Sequence, residues 1–171
     1  MATLRAPTAV TLLLVFLGGR GPSHSAHVFG GRGPAAIAPG DSLRHLLRTP
    51  NSGFPYSMRA VAGDSATFRK VWTEAMTGAP EVRPAPQIDF KRNMVVVASM
   101  GSRPNTGFSI TIDSVVERGS LVEVDVVLGG SGSLCIQGQA MTNPVDIVEV
   151  ARSARMVAFH DRLVTVECKM P

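Results

Sequence analysis

Two neighbouring stretches of the sequence, residues 108–112 and 122–126, alternate strictly between apolar and polar side chains. Their apolar members are Phe108, Ile110 and Ile112 in the first stretch and Val122, Val124 and Val126 in the second. Because successive side chains of a β-strand point to opposite faces, each stretch predicts a strand with one apolar face. Arg118 and Gly119 lie between the two stretches and predict a hairpin turn. The fold must therefore contain a sheet whose apolar face is covered by another layer.

Other apolar runs predict further strands. Residues 94–98 (MVVVA) form a continuous run, which is typical of a strand buried on both faces. Shorter runs follow at 145–150, 156–159 and 163–168, and Asp161 and Arg162 predict a tight turn between the last two. Earlier in the chain the signal is weaker: residues 58–62 fit a brief strand, and a short strand or a helical turn fits Leu43, Leu46 and Leu47.

One helix is predicted, over residues 64–77. Asp64 or Ser65 can cap its first turn, and Gly78 and Pro80 end it. We expect its tryptophan, Trp72, to anchor the helix on a sheet rather than to stack on a ligand. The helix has one apolar stripe, formed by Phe68, Val71, Trp72, Ala75 and Met76. The predicted fold class is α+β, with one N-terminal helix packed on an antiparallel β-sheet or small β-sandwich of about six strands.

The first 26 residues have the pattern of a secretory signal peptide. Arg5 supplies the positive start, residues 10–17 (VTLLLVFL) form the apolar run, and small residues permit cleavage after Ser25 or Ala26. The alternative, a buried helix, is disfavoured by the Gly- and Pro-rich residues that follow the run. The predicted organisation is a signal peptide at 1–26, a flexible leader at 27–40 and a domain at 41–171. We expect a secreted or periplasmic protein without a stable membrane anchor after cleavage.

The two cysteines, Cys135 and Cys168, both fall in the predicted domain. In an oxidising compartment such a pair is expected to form a disulfide. A metal site is the alternative, but it needs three or four ligands at close spacing, and His27, His45 and His160 are scattered singly. We therefore predict a disulfide, no metal and no cofactor.

The net charge of +4 does not indicate a nucleic-acid partner. It results from 17 basic and 13 acidic residues, and Arg5 and Arg20 belong to the predicted signal region. The remainder has 15 basic against 13 acidic groups, and these are not gathered into one stripe. We expect no nucleic-acid binding.

No catalytic motif is apparent, and the protein is predicted not to be an enzyme. Ser131 lies in a Gly-Gly-Ser-Gly-Ser stretch that is more typical of a linker than of a nucleophile. A hydrolase that uses Ser131 or His160 stays open as an alternative. The acidic residues Asp113, Glu123, Asp125 and Asp146 are interpreted as solvated side chains on the polar faces of strands.

Two segments are candidates for recognition, residues 101–108 (GSRPNTGF) and 139–144 (QAMTNP). A proline fixes the backbone of the first segment and a glycine frees it, so that the loop has a defined shape. The alternative is that both segments are architectural, with Gln139 and Thr142 satisfying the backbone of the first loop. The candidate binding residues are Arg103, Asn105, Thr106, Gly107, Phe108, Gln139 and Thr142.

These segments also carry a family resemblance. The sequence resembles the pattern of the PrcB C-terminal domain family at five places. In order along the chain, they are Trp72, residues 86–90 (PQIDF), the strand at 94–98, the loop at 101–110 and the segment 139–144. The resemblance covers about residues 52–168. The sequence departs from the pattern at 105–108, where Asn-Thr-Gly-Phe replaces Thr-Gly-Gly-Tyr, so that one glycine and the tyrosine hydroxyl are absent.

The resemblance implies an accessory role, because the namesake subunit associates with and stabilises an exported serine protease complex. The lipid-attachment cysteine of that lipoprotein is missing here, which implies a soluble exported form. We expect a non-enzymatic binding module with a protein partner, such as an exported peptidase. The alternative is a peptidase inhibitor acting through the loop from Arg103 to Phe108, whose tip is similar to the loops of chagasin-type inhibitors.

Overall fold

The computed structural model describes residues 36–38 and 43–168. The predicted signal peptide, 1–26, lies outside the described residues, as does the predicted leader, 27–40, except for residues 36–38. The described elements are β1 (Ala36–Ala38), β2 (Arg44–Thr49), β3 (Ser57–Ala62), α1 (Ser65–Met76), β4 (Asn93–Met100), β5 (Phe108–Arg118), β6 (Leu121–Ser131), β7 (Val145–Ala151) and β8 (Met156–Val166).

The strands form two four-stranded sheets. One sheet has the order β1-β5-β6-β8 and the other the order β2-β7-β4-β3. Neighbouring strands are antiparallel except for β6 and β8, which run parallel. The hairpin of β5 and β6 turns at Gly119, which has a positive φ of 55°, and this confirms the predicted turn.

The two sheets pack face to face through the apolar sides of their central strands. Fully buried side chains from both sheets form this core, among them Val96 and Val148 from one sheet and Ile112 and Val124 from the other. Valine and isoleucine suit this position because their branched side chains fill a pleated surface. The second sheet is therefore the layer that covers the apolar face predicted from the alternating pattern.

The helix packs on the outer face of the second sheet. Asp64 caps it by accepting hydrogen bonds from the backbone N–H groups of Ala66 and Thr67, each at 2.9 Å. The buried side chains Phe68 and Trp72 then pack against the odd-numbered residues of β4 and β7. Trp72 is buried in this cluster, which confirms the predicted packing anchor. Its Nε1 atom donates to the carbonyl oxygen of Arg83 at 2.8 Å.

The predicted α+β class is wrong, because the described residues form a β-rich fold in which one short helix is an accessory layer. The short strands β1 and β2 have little apolar periodicity, so the sequence pattern predicted fewer strands than the structure has. The helix also does not precede all the strands, since β1, β2 and β3 come before it.

The predicted turn at Asp161 and Arg162 is also wrong. Both residues lie within β8, opposite Val126 and Val127 of the parallel neighbour β6. The charged pair interrupts the apolar run because β8 is an edge strand. Asp161 forms an ion pair with Arg59 of β3 across the gap between the two sheets, at 2.9 Å.

Candidate binding surface

Three loops meet at one end of the sandwich, which we call the loop end. They are residues 50–56 between β2 and β3, 101–107 between β4 and β5, and 132–144 between β6 and β7. Strand pairing places them together, because Ser57 is opposite Met100, and Ser99 is opposite Val145. The parallel pairing of Ser131 with Val166 brings the end of β8 to the same place.

The second and third loops are joined by backbone hydrogen bonds. Arg103 and Thr142 form a two-way bridge with N···O distances of 2.7 and 3.0 Å. The N–H of Thr106 donates to the carbonyl of Gly138 (3.1 Å), and the N–H of Ser131 donates to the carbonyl of Gly107 (2.9 Å). The segments 101–108 and 139–144, which the sequence singled out, therefore lie side by side.

Several of the candidate binding residues serve this architecture. Thr142 is buried, and its hydroxyl donates to the carbonyl of Asn105 at 3.0 Å. The side-chain oxygen of Asn105 accepts from the N–H of Gly107 at 2.9 Å. Gly107 approaches Ser131 and Gln137 so closely that a Cβ would lie 2.7 Å from an atom of each side chain. Thr142, Asn105 and Gly107 thus shape the loops rather than present themselves to solvent.

The remaining candidates divide between the loop architecture and solvent. The guanidinium of Arg103 lies 5.8 Å from the ring centre of Phe108 and donates to the carbonyl of Met100 at 2.7 Å. Phe108 packs at the margin of the inter-sheet core. Thr106 is exposed, although its hydroxyl accepts from the N–H of Gly138. Gln139 is exposed and makes no hydrogen bond with the described residues, so Thr142 alone supports the first loop in the expected way.

The predicted disulfide between Cys135 and Cys168 is confirmed, with an S–S distance of 2.06 Å. It attaches the third loop to the residues that follow β8. The N–H of Gly132 reinforces this attachment by donating to the carbonyl of Val166 at 2.9 Å. Leu134 and Ile136 flank Cys135, so their positions are fixed by a covalent bond rather than by burial.

Exposed apolar side chains are concentrated at the loop end. Nine large hydrophobic side chains of the described residues are exposed, and Ile136 is fully so at 104%. Six of the nine are on the three loops or in the last four residues of β8, namely Tyr56, Leu134, Ile136, Met141, Leu163 and Val166. Exposed apolar patches of this kind mark interaction surfaces. Sequence reasoning missed these residues, although apolar residues on both sides of a loop cysteine were a usable signal.

Ser131 and His160, the residues named for the hydrolase alternative, lie far apart in the structure. Ser131 is opposite Val166 in the ladder of β6 and β8, whereas His160 is opposite Asp125. Along β8, His160 and Val166 are six residues apart, which corresponds to roughly 20 Å. The hydroxyl of Ser131 instead donates to the carbonyl of Gly107 at 3.1 Å. Ser131 and His160 are therefore too far apart to form a nucleophile–base pair.

Metal-binding groups and membrane-spanning helices are absent from the described residues. They contain no group of three or more His, Cys, Asp or Glu side chains arranged to hold a metal ion. They also contain no helix with the length and apolar character needed to span a membrane.

Comparison with known proteins identifies a family. No curated protein and no solved structure matches the chain significantly. The family model described as PrcB C-terminal matches residues 94–151, which run from β4 through both paired loops to the end of β7. The match includes the segments at 101–108 and 139–144 on which the resemblance was based. Over residues 94–151 this chain is therefore similar to the PrcB C-terminal family, which supports the resemblance seen in the sequence.

Proposed function

We propose that this protein is an exported, non-enzymatic binding module that docks a protein partner through its loop end. The observation that carries the proposal is the concentration of exposed apolar side chains on loops of fixed shape. Ile136 and Leu134 stand beside the disulfide, and Tyr56 and Met141 are exposed on the neighbouring loops. Loops held in one conformation lose little entropy when they bind, so their apolar area contributes efficiently to affinity.

The match to the PrcB C-terminal family supports a partner of a particular class. The namesake subunit of the family is an accessory of an exported serine protease complex, and we infer an accessory role in such a complex for this chain. The family segment 94–151 contains the paired loops with Leu134, Ile136 and Met141, so it overlaps the proposed docking surface in part.

Direct peptidase inhibition through residues 103–108 has less support. An inhibitory loop must present side chains to the active site of its target. Here Asn105 and Phe108 point into the loop architecture and the core, and Arg103 donates to a backbone carbonyl. The exposed members of this segment are Pro104 and Thr106, which offer little to a specificity pocket.

The proposal is tested by affinity purification of tagged full-length protein from the exported fraction of the producing organism, with mild crosslinking. Ile136→Ser removes the most exposed apolar side chain of the loop end. Val82→Ser is the matched control, because Val82 is also an exposed aliphatic side chain but lies on the segment after α1. We expect a specific partner that identifies as a component of a peptidase complex, with recovery reduced by Ile136→Ser and unchanged by Val82→Ser. Equal recovery with all three proteins, or no partner, would contradict the proposal.

A further inference from the structure

A groove runs along α1, between the helix and the extended segment 82–90 that follows it. The first and larger stretch of the groove has a volume of about 450 Å³, which is within the range of small-molecule sites. Its apolar lining comes from both walls and consists of Trp72, Met76, Val82, Pro84 and Ala85. A second stretch of about 320 Å³ shares Arg69 and Ala85 with the first and is lined further by Phe68, Ile88 and Phe90. The first stretch is therefore mainly apolar, whereas Ser65, Arg69 and Gln87 make the second stretch more polar.

Two arginines give this groove a positive charge. Arg69 and Arg83 line the first stretch, and within the described residues neither guanidinium forms an ion pair or a hydrogen bond. No aspartate or glutamate lines either stretch. Glu74 lies with Arg69 around a shallow depression on the outer side of the helix and does not line the groove. An anionic group in the groove would thus face two arginines and no carboxylate.

We propose that the first stretch of this groove binds a small apolar carboxylate. Its apolar part would lie against Val82, Pro84 and Ala85, beside Trp72, and the carboxylate would pair with Arg69 and Arg83. Guanidinium groups recognise carboxylates through two parallel N–H···O hydrogen bonds. This ligand site is separate from the loop end and does not depend on the role proposed for it.

Trp72 is the only tryptophan of the chain and lines the groove, so its fluorescence reports on occupancy. The experiment titrates the full-length protein with decanoate below its micellar concentration, and with decanol as the uncharged analogue. We expect a saturable change in Trp72 fluorescence with decanoate. The double variant Arg69→Gln/Arg83→Gln should weaken decanoate binding at least about tenfold, because it removes both charged hydrogen-bond donors to the carboxylate.

Arg92→Gln is the control, because Arg92 is a highly exposed arginine whose side chain approaches only the carboxylate of Asp89, at 3.9 Å. It should leave decanoate affinity unchanged. Three results would overturn the proposal: no saturable response to decanoate, equal affinity for decanoate and decanol, or equal affinity in the wild type and the double variant. Tighter binding of an apolar peptide than of decanoate would also overturn it.

Discussion

The buried carboxylate of Asp146, on β7, accepts a hydrogen bond from the backbone N–H of Ile112, on β5, at 2.8 Å. The two residues belong to opposite sheets. The register of β5 with β6 shifts between Ile112 and Ser114, so the carboxylate satisfies an N–H beside this irregularity. On its other side Asp146 contacts the imidazole of His45 at 2.8 Å. Asp146 therefore joins the two sheets through a polar contact inside an apolar core.

Asp146→Ala should destabilise the protein, because it leaves the buried N–H of Ile112 without an acceptor. The expected loss in the free energy of unfolding is about 1–3 kcal/mol. Urea denaturation measures it. Asp113→Ala is the control, because Asp113 forms only an exposed ion pair with Arg162 at 3.7 Å, and such pairs contribute between zero and about 1 kcal/mol. Equal stabilities of the two variants would show that the inter-sheet contact contributes nothing.

Gly101→Ala should be more destabilising than Gly119→Ala. Both glycines have positive φ, 71° and 55°, so alanine at either position costs about 1–2 kcal/mol for the left-handed backbone. Gly119 has open space around its Cβ position, whereas a Cβ on Gly101 would lie 2.7 Å from the backbone nitrogen of Ser57. Thermal unfolding of both variants isolates the cost of that close contact. A Gly101→Ala variant as stable as Gly119→Ala would contradict the described packing at the loop end.

The cap of α1 should weaken in acid. Hydrogen bonds from the backbone and hydroxyl of Thr67 lower the pKa of Asp64 below its ordinary value. A lowered pKa means that the stabilisation is complete above the pKa of an unfolded aspartate, about 3.9, and is lost as the pH falls through the folded pKa. Asp64→Asn keeps a capping oxygen without the titration. Its melting temperature relative to the wild type should therefore rise on acidification, and a constant difference from pH 7 to pH 2.5 would refute this prediction.

The disulfide should stabilise both the fold and the loop end. Cys135 and Cys168 are 33 residues apart, and chain entropy assigns a bridge of this length about 3–4 kcal/mol. The variant Cys135→Ser/Cys168→Ser should unfold at lower urea concentration and should bind the partner more weakly, because Leu134 and Ile136 lose their attachment. Intact mass before and after reduction should differ by two hydrogen atoms. Unchanged partner binding in the variant would show that the loop does not need the bridge.

Local features of the fold could be predicted from the sequence because they depend on neighbouring residues. The cap at Asp64, the stripe that contains Trp72 and the turn at Gly119 all follow from spacing along a single element. The parallel pairing of β6 with β8 could not be predicted in this way, because it depends on how the chain crosses between sheets. Asp161 shows the difference: it has the local signal of a turn, but Arg59 of the other sheet stabilises it within a strand.

The candidate site shows the same division. The sequence identified the loop segments but not the direction of their side chains, since Thr142 and Asn105 are turned inward by contacts between distant segments. Asp146 was interpreted as a solvated residue, yet it is completely buried. Its carboxylate accepts a hydrogen bond from the N–H of Ile112 in the opposite sheet, and the local sequence does not indicate this contact. The exposed apolar side chains of the loop end were not expected, because exposure in a loop leaves no periodic signal.

Site-specific photo-crosslinking in the exported fraction tests the central claim, that the loop end docks a protein partner, most directly. A photoreactive phenylalanine analogue replaces Ile136 in one full-length protein and Val82 in another. Both positions are exposed, so an unspecific surface should crosslink equally from either. The account predicts a defined heteromeric product from position 136, with a component of a peptidase complex, and none from position 82. The same product from both positions, or none from position 136, would contradict it.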